Sequence, residues 1–348
     1  MARLARSRTS RTGVPSGDSA VIDWLLEPSQ PSIRYLTQTQ LLGQRPTDPE
    51  VVGSKGRLLE TGWVPELLSE AAPGGFRLDA ERFYEPKYLS PNWKLLVLSD
   101  LGVTRDEPRI AAACGSWIAR FARDDGGFAP EGMRAGHLCT TGNMARALIR
   151  FGYEEHPAVR RAMEWLVANQ AKLGGWSCFG SGRNLDSWEG MSAFAAYPRH
   201  RWTTEMASAV ERGAEFFLER ELHRQGDPYA PWFRFHAPVH YYYDLLVGLD
   251  FLTELGYTQD PRMAFALRHL RDRRRPDGRW ALDSAQPDVE GSRARWFEQH
   301  PKRRPVPLEL EPVGQPSKLV TFRAFRVLRR VSAGATGPPG DRLRAARP

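Results

Sequence analysis

The polar residues of greatest chemical interest in this 348-residue chain lie between positions 137 and 244. Cys139, Cys178 and His240 are of the side-chain types that Zn²⁺ prefers, although no CxxC-type spacing joins them. Glu189 or a water molecule could supply a fourth ligand. Asp244 comes four residues after His240 and would share its face of a helix, so it could orient the imidazole. A zinc site is therefore one hypothesis for this chain.

The same residues have a purely structural interpretation, which the sequence leaves open. Cys139 and Cys178 would then be small buried residues, and His240 would be a hydrogen-bonded histidine in the protein interior. Cys114 lies within an amphipathic helical pattern and is expected in the core. Three cysteines at these positions do not form a disulfide framework, so reduced thiols are expected.

Acid–base chemistry is a third possibility. Asp244 could act as a proton carrier, and Glu189, His137 and Asp186 are weaker acid–base candidates. Aromatic residues surround His240 in the sequence, from Trp232 to the run of three tyrosines before Asp244. They could line a cavity and stabilise a carbocation through cation–π interaction, or they could simply pack helices.

A repeated segment predicts how these residues are positioned. Three helical patterns each close with a glycine turn and an aromatic residue: "SWIARFARDDGGF" ends at Phe128, "MEWLVANQAKLGGW" at Trp176 and "LRHLRDRRRPDGRW" at Trp280. The second interval is about twice the first. One degenerate copy is therefore expected between Trp176 and Trp280.

Each of these segments follows a more apolar helix that ends in glycine. The glycines are Gly102, Gly152 and Gly256, which suit the left-handed conformation common after a helix C-terminus. A proline then begins the next helix, at position 108, 157 or 261, where a missing N–H group costs nothing. The repeating unit is a helical hairpin of roughly 50 residues.

Stacked hairpins of this kind predict an all-α protein with two layers. The apolar first helices would form an inner layer and the charged second helices an outer one. "SWEGMSAFAAYP" and "TEMASAVERGAEFFLERELH" supply the degenerate hairpin, "PSIRYLTQTQLLG" and "GRLLETGWVPELLSEA" an opening pair, and "SKLVTFRAFRVLRRV" a closing helix. About five hairpins and one closing helix result.

The segment "RAMEWLVANQAKLGGW" resembles the QW motif of squalene–hopene and oxidosqualene cyclases. Arg161 and Ala162, the aromatic Trp165, Gln170 and Trp176 carry the resemblance. It implies the α/α toroid of terpene cyclases and protein prenyltransferase β subunits, in a divergent chain with a single toroid. It also implies that Gln170 and Trp176 tie an outer helix to its neighbour rather than take part in chemistry.

A toroid of this family brings the start of every inner helix to one rim. Cys139, Cys178, Glu189 and His240 would then converge there. Protein prenyltransferase β subunits hold a catalytic zinc at this rim with an Asp, a Cys and a His, so the resemblance implies a zinc cofactor here. The chain departs from the cyclases because it contains no D-x-D-D acid, and it has no D-D-x-x-D or Walker motif.

Composition limits the class of protein and its location. The formal charge of +8 is concentrated in the basic terminal segments, while acids and bases mix in between, so nucleic-acid binding is not expected. No apolar run predicts a membrane span or a signal peptide, which favours a cytoplasmic protein. We expect disordered tails at 1–18 and 332–348 around a single toroid domain at 19–331, with an opening hairpin at 19–88 and repeats at 89–331.

Two functions remain open at this point. The first is a squalene cyclase- or prenyltransferase-like enzyme with a central aromatic cavity. It would act on an apolar, isoprenoid-like small molecule by cyclisation, isomerisation or zinc-assisted transfer. The second is a non-catalytic α/α toroid that binds a ligand or a protein partner.

Overall fold

A computed structural model describes residues 18–71, 75–79, 83–178, 185, 187–224, 226, 229–285, 294–301 and 306–336. These residues form helices and turns, with three isolated β-bridges and no strand among them. The helices are α1 (Ser19–Leu25), α2 (Pro31–Leu36), α3 (Pro49–Gly56), α4 (Trp63–Leu67), α5 (Pro91–Asp100), α6 (Pro108–Phe121), α7 (Leu138–Arg150), α8 (Pro157–Ala168), α9 (Glu189–Ala196), α10 (Thr204–Glu219), α11 (Leu245–Glu254), α12 (Ala264–Asp272), α13 (Ala294–Gln299) and α14 (Lys318–Thr336). The predicted all-α class is confirmed.

Two concentric layers of helices form an α/α toroid. The inner helices α5, α7, α9, α11 and α14 contact one another in that order, and α14 contacts α2. The ring closes where Gly102, just after α5, packs against the ring of Tyr35 in α2. The outer helices α6, α8, α10 and α12 each pack on the inner helix that precedes them in the chain. Four hairpins, α5–α6, α7–α8, α9–α10 and α11–α12, therefore surround one axis with α2 and the closing helix α14, and these four are the hairpins that the repeat predicted.

The glycines that end the inner helices have the predicted conformation. Gly102, Gly152 and Gly256 have φ angles of 83°, 93° and 96°, in the left-handed region that favours glycine. Pro108 and Pro157 begin α6 and α8, and Pro261 begins a 3₁₀ turn that leads into α12. These caps fix the direction in which each outer helix leaves the inner layer.

Three boundaries differ from the sequence prediction. The expected helix over 56–71 is broken, because Gly62 has a φ of 80° and separates a 3₁₀ turn from α4. The fourth inner helix begins at Leu245, so His240 lies in the loop before it rather than at its first turn. The closing helix continues to Thr336, past the predicted boundary at 331. Residues 1–17 and 337–348, in the predicted tails, lie outside the described residues.

Trp176 and Gln170 link neighbouring hairpins. The Trp176 indole is buried and donates a hydrogen bond of 2.9 Å to the Leu166 carbonyl of α8. The Gln170 amide donates to the Ala209 carbonyl of α10, and Arg212 of α10 donates to the Gln170 oxygen. These contacts give Trp176 and Gln170 a structural role.

We expect the Trp176→Phe substitution to destabilise the fold by about 2 kcal/mol, because the buried Leu166 carbonyl loses a donor and a small cavity forms. Chemical denaturation of the two proteins measures this difference. Trp296→Phe is the matched control, because Trp296 is 41% exposed and its loss should leave the unfolding free energy nearly unchanged. Equal losses in both variants would contradict the assigned role of Trp176.

Candidate metal centre and central cavity

The segment before α7 fixes His137 and Cys139 at the rim where the inner helices begin. His137 is the N-cap residue of α7, and its backbone N–H donates to the Phe128 carbonyl at 2.9 Å. The Thr141 hydroxyl contacts both backbone groups of Phe128, so the chain reverses tightly here. Cys139 lies in the first turn of α7 and is buried.

Cys178 reaches the same place from the next hairpin. It follows Trp176 by two residues, so the indole anchored on α8 holds the chain that carries the thiol. One nitrogen of His137 and the sulfurs of Cys139 and Cys178 all lie within 4.8 Å of one another. The His137 Nδ1 atom is 3.2 Å from the Cys139 sulfur. We call His137, Cys139 and Cys178 the thiol cluster.

Electrostatics favours an ionised sulfur in the thiol cluster. A hydrogen bond from the Cys178 thiol, with a second from His137, holds the pKa of Cys139 well below its usual range despite burial. The hydrogen bond to Cys139 raises the pKa of His137. The same thiol pair, with burial, raises the pKa of Cys178. Since a thiolate is the form that binds metal, the arrangement already favours one thiolate ligand.

Glu189 lies near the thiol cluster because α7 and α9 approach closely. A Cβ atom added at Gly142 would lie 2.6 Å from the Glu189 carbonyl carbon, so only glycine permits this contact. Glu189 is the first residue of α9 and only 1% exposed, and its charge contributes to raising the pKa of Cys178. Within the part of the chain that the structure describes, Glu189 does not belong to the group of side chains whose ligand atoms lie within 4.8 Å of one another.

His240, the predicted third zinc ligand, is not part of the thiol cluster. Its ring stacks on Tyr88 with centroids 4.5 Å apart, and Asn143 holds its carbonyl at 2.9 Å. Burial lowers the pKa of His240 well below its usual value. The reason is the late start of α11, which leaves residues 236–240 in a loop held by side chains of α7 and α14. We call this segment the central loop.

Asp244 orients a different imidazole from the one predicted. Its carboxylate accepts a hydrogen bond of 3.0 Å from the His236 backbone N–H and lies 2.6 Å from His236 Nδ1. It also caps α11 by accepting from the Val247 N–H at 2.7 Å. Burial opposes its charge, but His236 and Arg323 outweigh that effect and lower the pKa of Asp244. Asp186 lies outside the described residues.

Some aromatic residues around the central loop pack against other rings, and others line a crevice. Trp232 packs on Tyr243, while Phe233 and Phe235 pack on His269 of α12. Tyr241 instead lines a narrow crevice beside Cys139, together with Tyr84, Trp93 and Met144. The aromatic surface that the sequence predicted is thus next to the thiol cluster, and it is smaller than expected.

A separate cavity of about 750 Å³ opens at the opposite end of the barrel, where the inner helices end. The central loop contributes part of its wall through Ala237, Pro238 and Val239. Apolar residues such as Trp188 and Phe322 alternate with six arginines and four acidic residues: Arg146, Arg150, Arg323, Arg326, Arg329, Arg330, Asp100, Glu154, Asp250 and Glu254. Its polar lining is predominantly basic.

Asp250 organises the arginines of α14. Arg326 pairs with its carboxylate, Arg330 donates to it at 2.9 Å, and the Arg323 nitrogen lies 3.8 Å away. Burial alone would raise the pKa of Asp250, but the three guanidinium groups outweigh it and lower that pKa far below its usual value. This carboxylate is therefore charged whenever the protein is folded near neutral pH.

Sequence reasoning missed His137 as a partner of the thiols and missed the arginines altogether. The sequence did contain a signal for the arginines, because Arg146 and Arg150 lie four residues apart on a helix predicted to be in the inner layer. Charged residues on the inner face of an inner helix must point into the barrel. The same holds for Arg323, Arg326 and Arg330 on the closing helix.

Two sulfurs and one imidazole form a ligand set that fits Zn²⁺. Structural and catalytic zinc sites use these atoms, and three protein ligands leave a fourth position for water or substrate. Among the described residues, the thiol cluster is the group of metal-ligand side chains whose atoms are close enough together to hold one metal ion. Within the same part of the chain, every helix falls short of the length and hydrophobicity that a bilayer crossing requires.

No protein-family model matches the chain, and no curated protein matches it. Among solved structures, the chain is similar to the type II terpene cyclase MstE from Scytonema without ligand, with 15% identity, a TM-score of 0.43 and coverage of 90% of this chain and 88% of that one. A variant of the same cyclase in complex with its substrate, geranylgeranyl dihydroxybenzoate, has 14% identity and a TM-score of 0.43, with the same coverage of the two chains. A protein from Actinoplanes has 16% identity and a TM-score of 0.42, with 90% of both chains covered.

Proposed function

We propose that this chain is a zinc-dependent enzyme that acts on a largely apolar, isoprenoid-like small molecule held inside the toroid. The observation that carries the proposal is the convergence of His137, Cys139 and Cys178 within 4.8 Å of one another, from two separate connections between helices. These connections are 39 or more residues apart in sequence, so the fold itself must bring them together.

The residues of the site have distinct roles in this proposal. His137, Cys139 and Cys178 hold the metal, and Glu189 places a negative charge beside it. Bound zinc would supply Lewis acidity or an activated water or thiol at its open position. Tyr241, Tyr84 and Trp93 form an apolar, π-rich wall next to Cys139, against which an alkene or a developing cation is stabilised.

The interior of the toroid has room for an organic ligand, and its larger cavity lies at the end of the barrel opposite the thiol cluster. The volume of this cavity, about 750 Å³, falls within the range of small-molecule sites. The isoprenoid-like class follows from the resemblance of residues 161–176 to the QW motif. Cyclisation by a D-x-D-D acid is not part of the proposal, because the chain lacks that motif.

The test is elemental analysis of the protein purified without an affinity tag that binds metal, combined with mass spectrometry of its organic extract. We expect about one zinc per chain and a co-purified apolar compound. Conversion of that compound by the zinc-loaded protein, and not by the chelator-treated protein, would support an enzyme. Binding without conversion would instead support a ligand-binding toroid, and a protein that acquires no zinc would refute the proposal.

A further inference from the structure

The floor of the cavity contains two buried guanidinium groups whose partners are mainly backbone carbonyls. Arg146 of α7 donates to the Val239 carbonyl at 3.0 Å, and Arg323 of α14 donates to the His236 carbonyl at 3.2 Å. The two carbonyls lie three residues apart on the central loop. Both arginines therefore reach the central loop, and both line the same cavity.

The charges of these arginines are only loosely balanced. The nearest carboxylate oxygen of Asp100 is 3.9 Å from Arg146, and that of Asp250 is 3.8 Å from Arg323, beyond hydrogen-bond distance in both cases. Their side chains are only 3% and 9% exposed. Since water reaches them poorly, the remaining compensation comes from carboxylates at longer range, Glu189 for Arg146 and Asp244 for Arg323.

Arg146 carries the clearest sign of a missing partner. Its Nε–H group is buried and has no hydrogen-bond partner among the described residues. Burial lowers the pKa of Arg146 to about 10, which reflects the cost of a desolvated charge. Its guanidinium lies 5.2 Å from the centre of the Trp188 ring, so the unpaired group adjoins an apolar wall of the cavity.

We propose that the cavity binds an amphiphilic organic anion, whose phosphate or carboxylate head lies against Arg146 and Arg323 and whose apolar part lies along Trp188 and Phe322. Guanidinium groups recognise both kinds of oxyanion through paired N–H donors. The six arginines and four acids of the lining leave an excess of two positive charges for the head group. This inference goes beyond the proposed function, because the cavity lies at the end of the barrel opposite the thiol cluster.

Isothermal titration of the metal-free protein tests the inference separately from the zinc proposal. The ligands are octyl phosphate, octanoate and octanol, which share a tail and differ in the head group. We expect at least one of the two anions to bind roughly 10- to 100-fold more tightly than octanol, with an affinity that falls as salt is added. The stronger anion identifies the head-group chemistry. Octanol binding as tightly as both anions would overturn the inference.

Two variants locate the site. Arg146→Gln should weaken binding of the preferred anion roughly 10-fold or more, whereas Arg134→Gln removes an exposed arginine far from the cavity and should leave it unchanged. Ala196→Trp retains every charge but fills the cavity from α9, and it should also block binding. The second variant decides the question if Arg146→Gln fails to fold. Unchanged anion binding in Ala196→Trp would place the site elsewhere and refute the inference.

Discussion

Replacing Cys178 with serine is expected to lower zinc affinity by more than about 100-fold while the helical content is retained. Loss of groups that merely support metal ligands costs roughly 10–100-fold, so loss of a ligand must cost more. The helices persist because the stack of hairpins, and not the rim, supplies the buried core. Competition with a zinc-binding dye measures the affinity, and circular dichroism measures the helical content.

Three further variants identify the ligands of this site. His137→Ala and Cys139→Ser should lose zinc as Cys178→Ser does. Cys114→Ala should retain it, because Cys114 is buried in α6 and belongs to the core. His240→Ala should also retain it, because that ring stacks on Tyr88. Zinc loss in His240→Ala with retention in His137→Ala would reverse the assignment drawn from the structure.

The Asp250→Asn substitution should reduce the unfolding free energy by about 3–5 kcal/mol at neutral pH, since it leaves the buried Arg323 and Arg326 without their shared carboxylate. Denaturant titration measures the loss. Asp272→Asn is the matched control, because Asp272 is exposed at the end of α12, and its effect should remain within about 0.5 kcal/mol.

The pH dependence of this effect follows from the direction of the pKa shift. The folded protein holds the pKa of Asp250 below that of the unfolded chain, which is about 3.9. The carboxylate therefore contributes its full stability above that value and loses it as the pH falls toward the folded pKa. The difference between wild type and Asp250→Asn should be largest at neutral pH and should shrink below about pH 4. A difference that grew in acid would contradict the assignment.

The repeat was sufficient to predict the fold, because each hairpin contains its own start and stop signals. Gly152 ends α7, Pro157 begins α8, and Trp176 marks the end of the hairpin; all three act within about 25 residues. Local signals of this kind can be read without knowledge of distant contacts. The broken segment after Gly56 has no such repeat, and there the prediction of one continuous helix was wrong.

The candidate site was less predictable, because it depends on where a helix begins rather than on whether it exists. Cys139 and Cys178 lie together as expected, since both are tied to helix ends that the repeat marks. His240 was placed at the start of α11, but Asp244 caps that helix and leaves His240 in a loop. A shift of five residues was enough to move the imidazole from the rim to a position stacked on Tyr88.

The central loop also divides the interior of the barrel into two compartments. Asn143 and Arg146, one helical turn apart on α7, hold the carbonyls of His240 and Val239. The first of these helical residues adjoins the crevice beside Cys139, and the second adjoins the basic cavity. A ligand that recruits Arg146 can use its unpaired Nε–H group while another nitrogen of the guanidinium still donates to Val239. Helix α7 is thus a wall shared by the two compartments, with Asn143 facing the crevice and Arg146 facing the basic cavity.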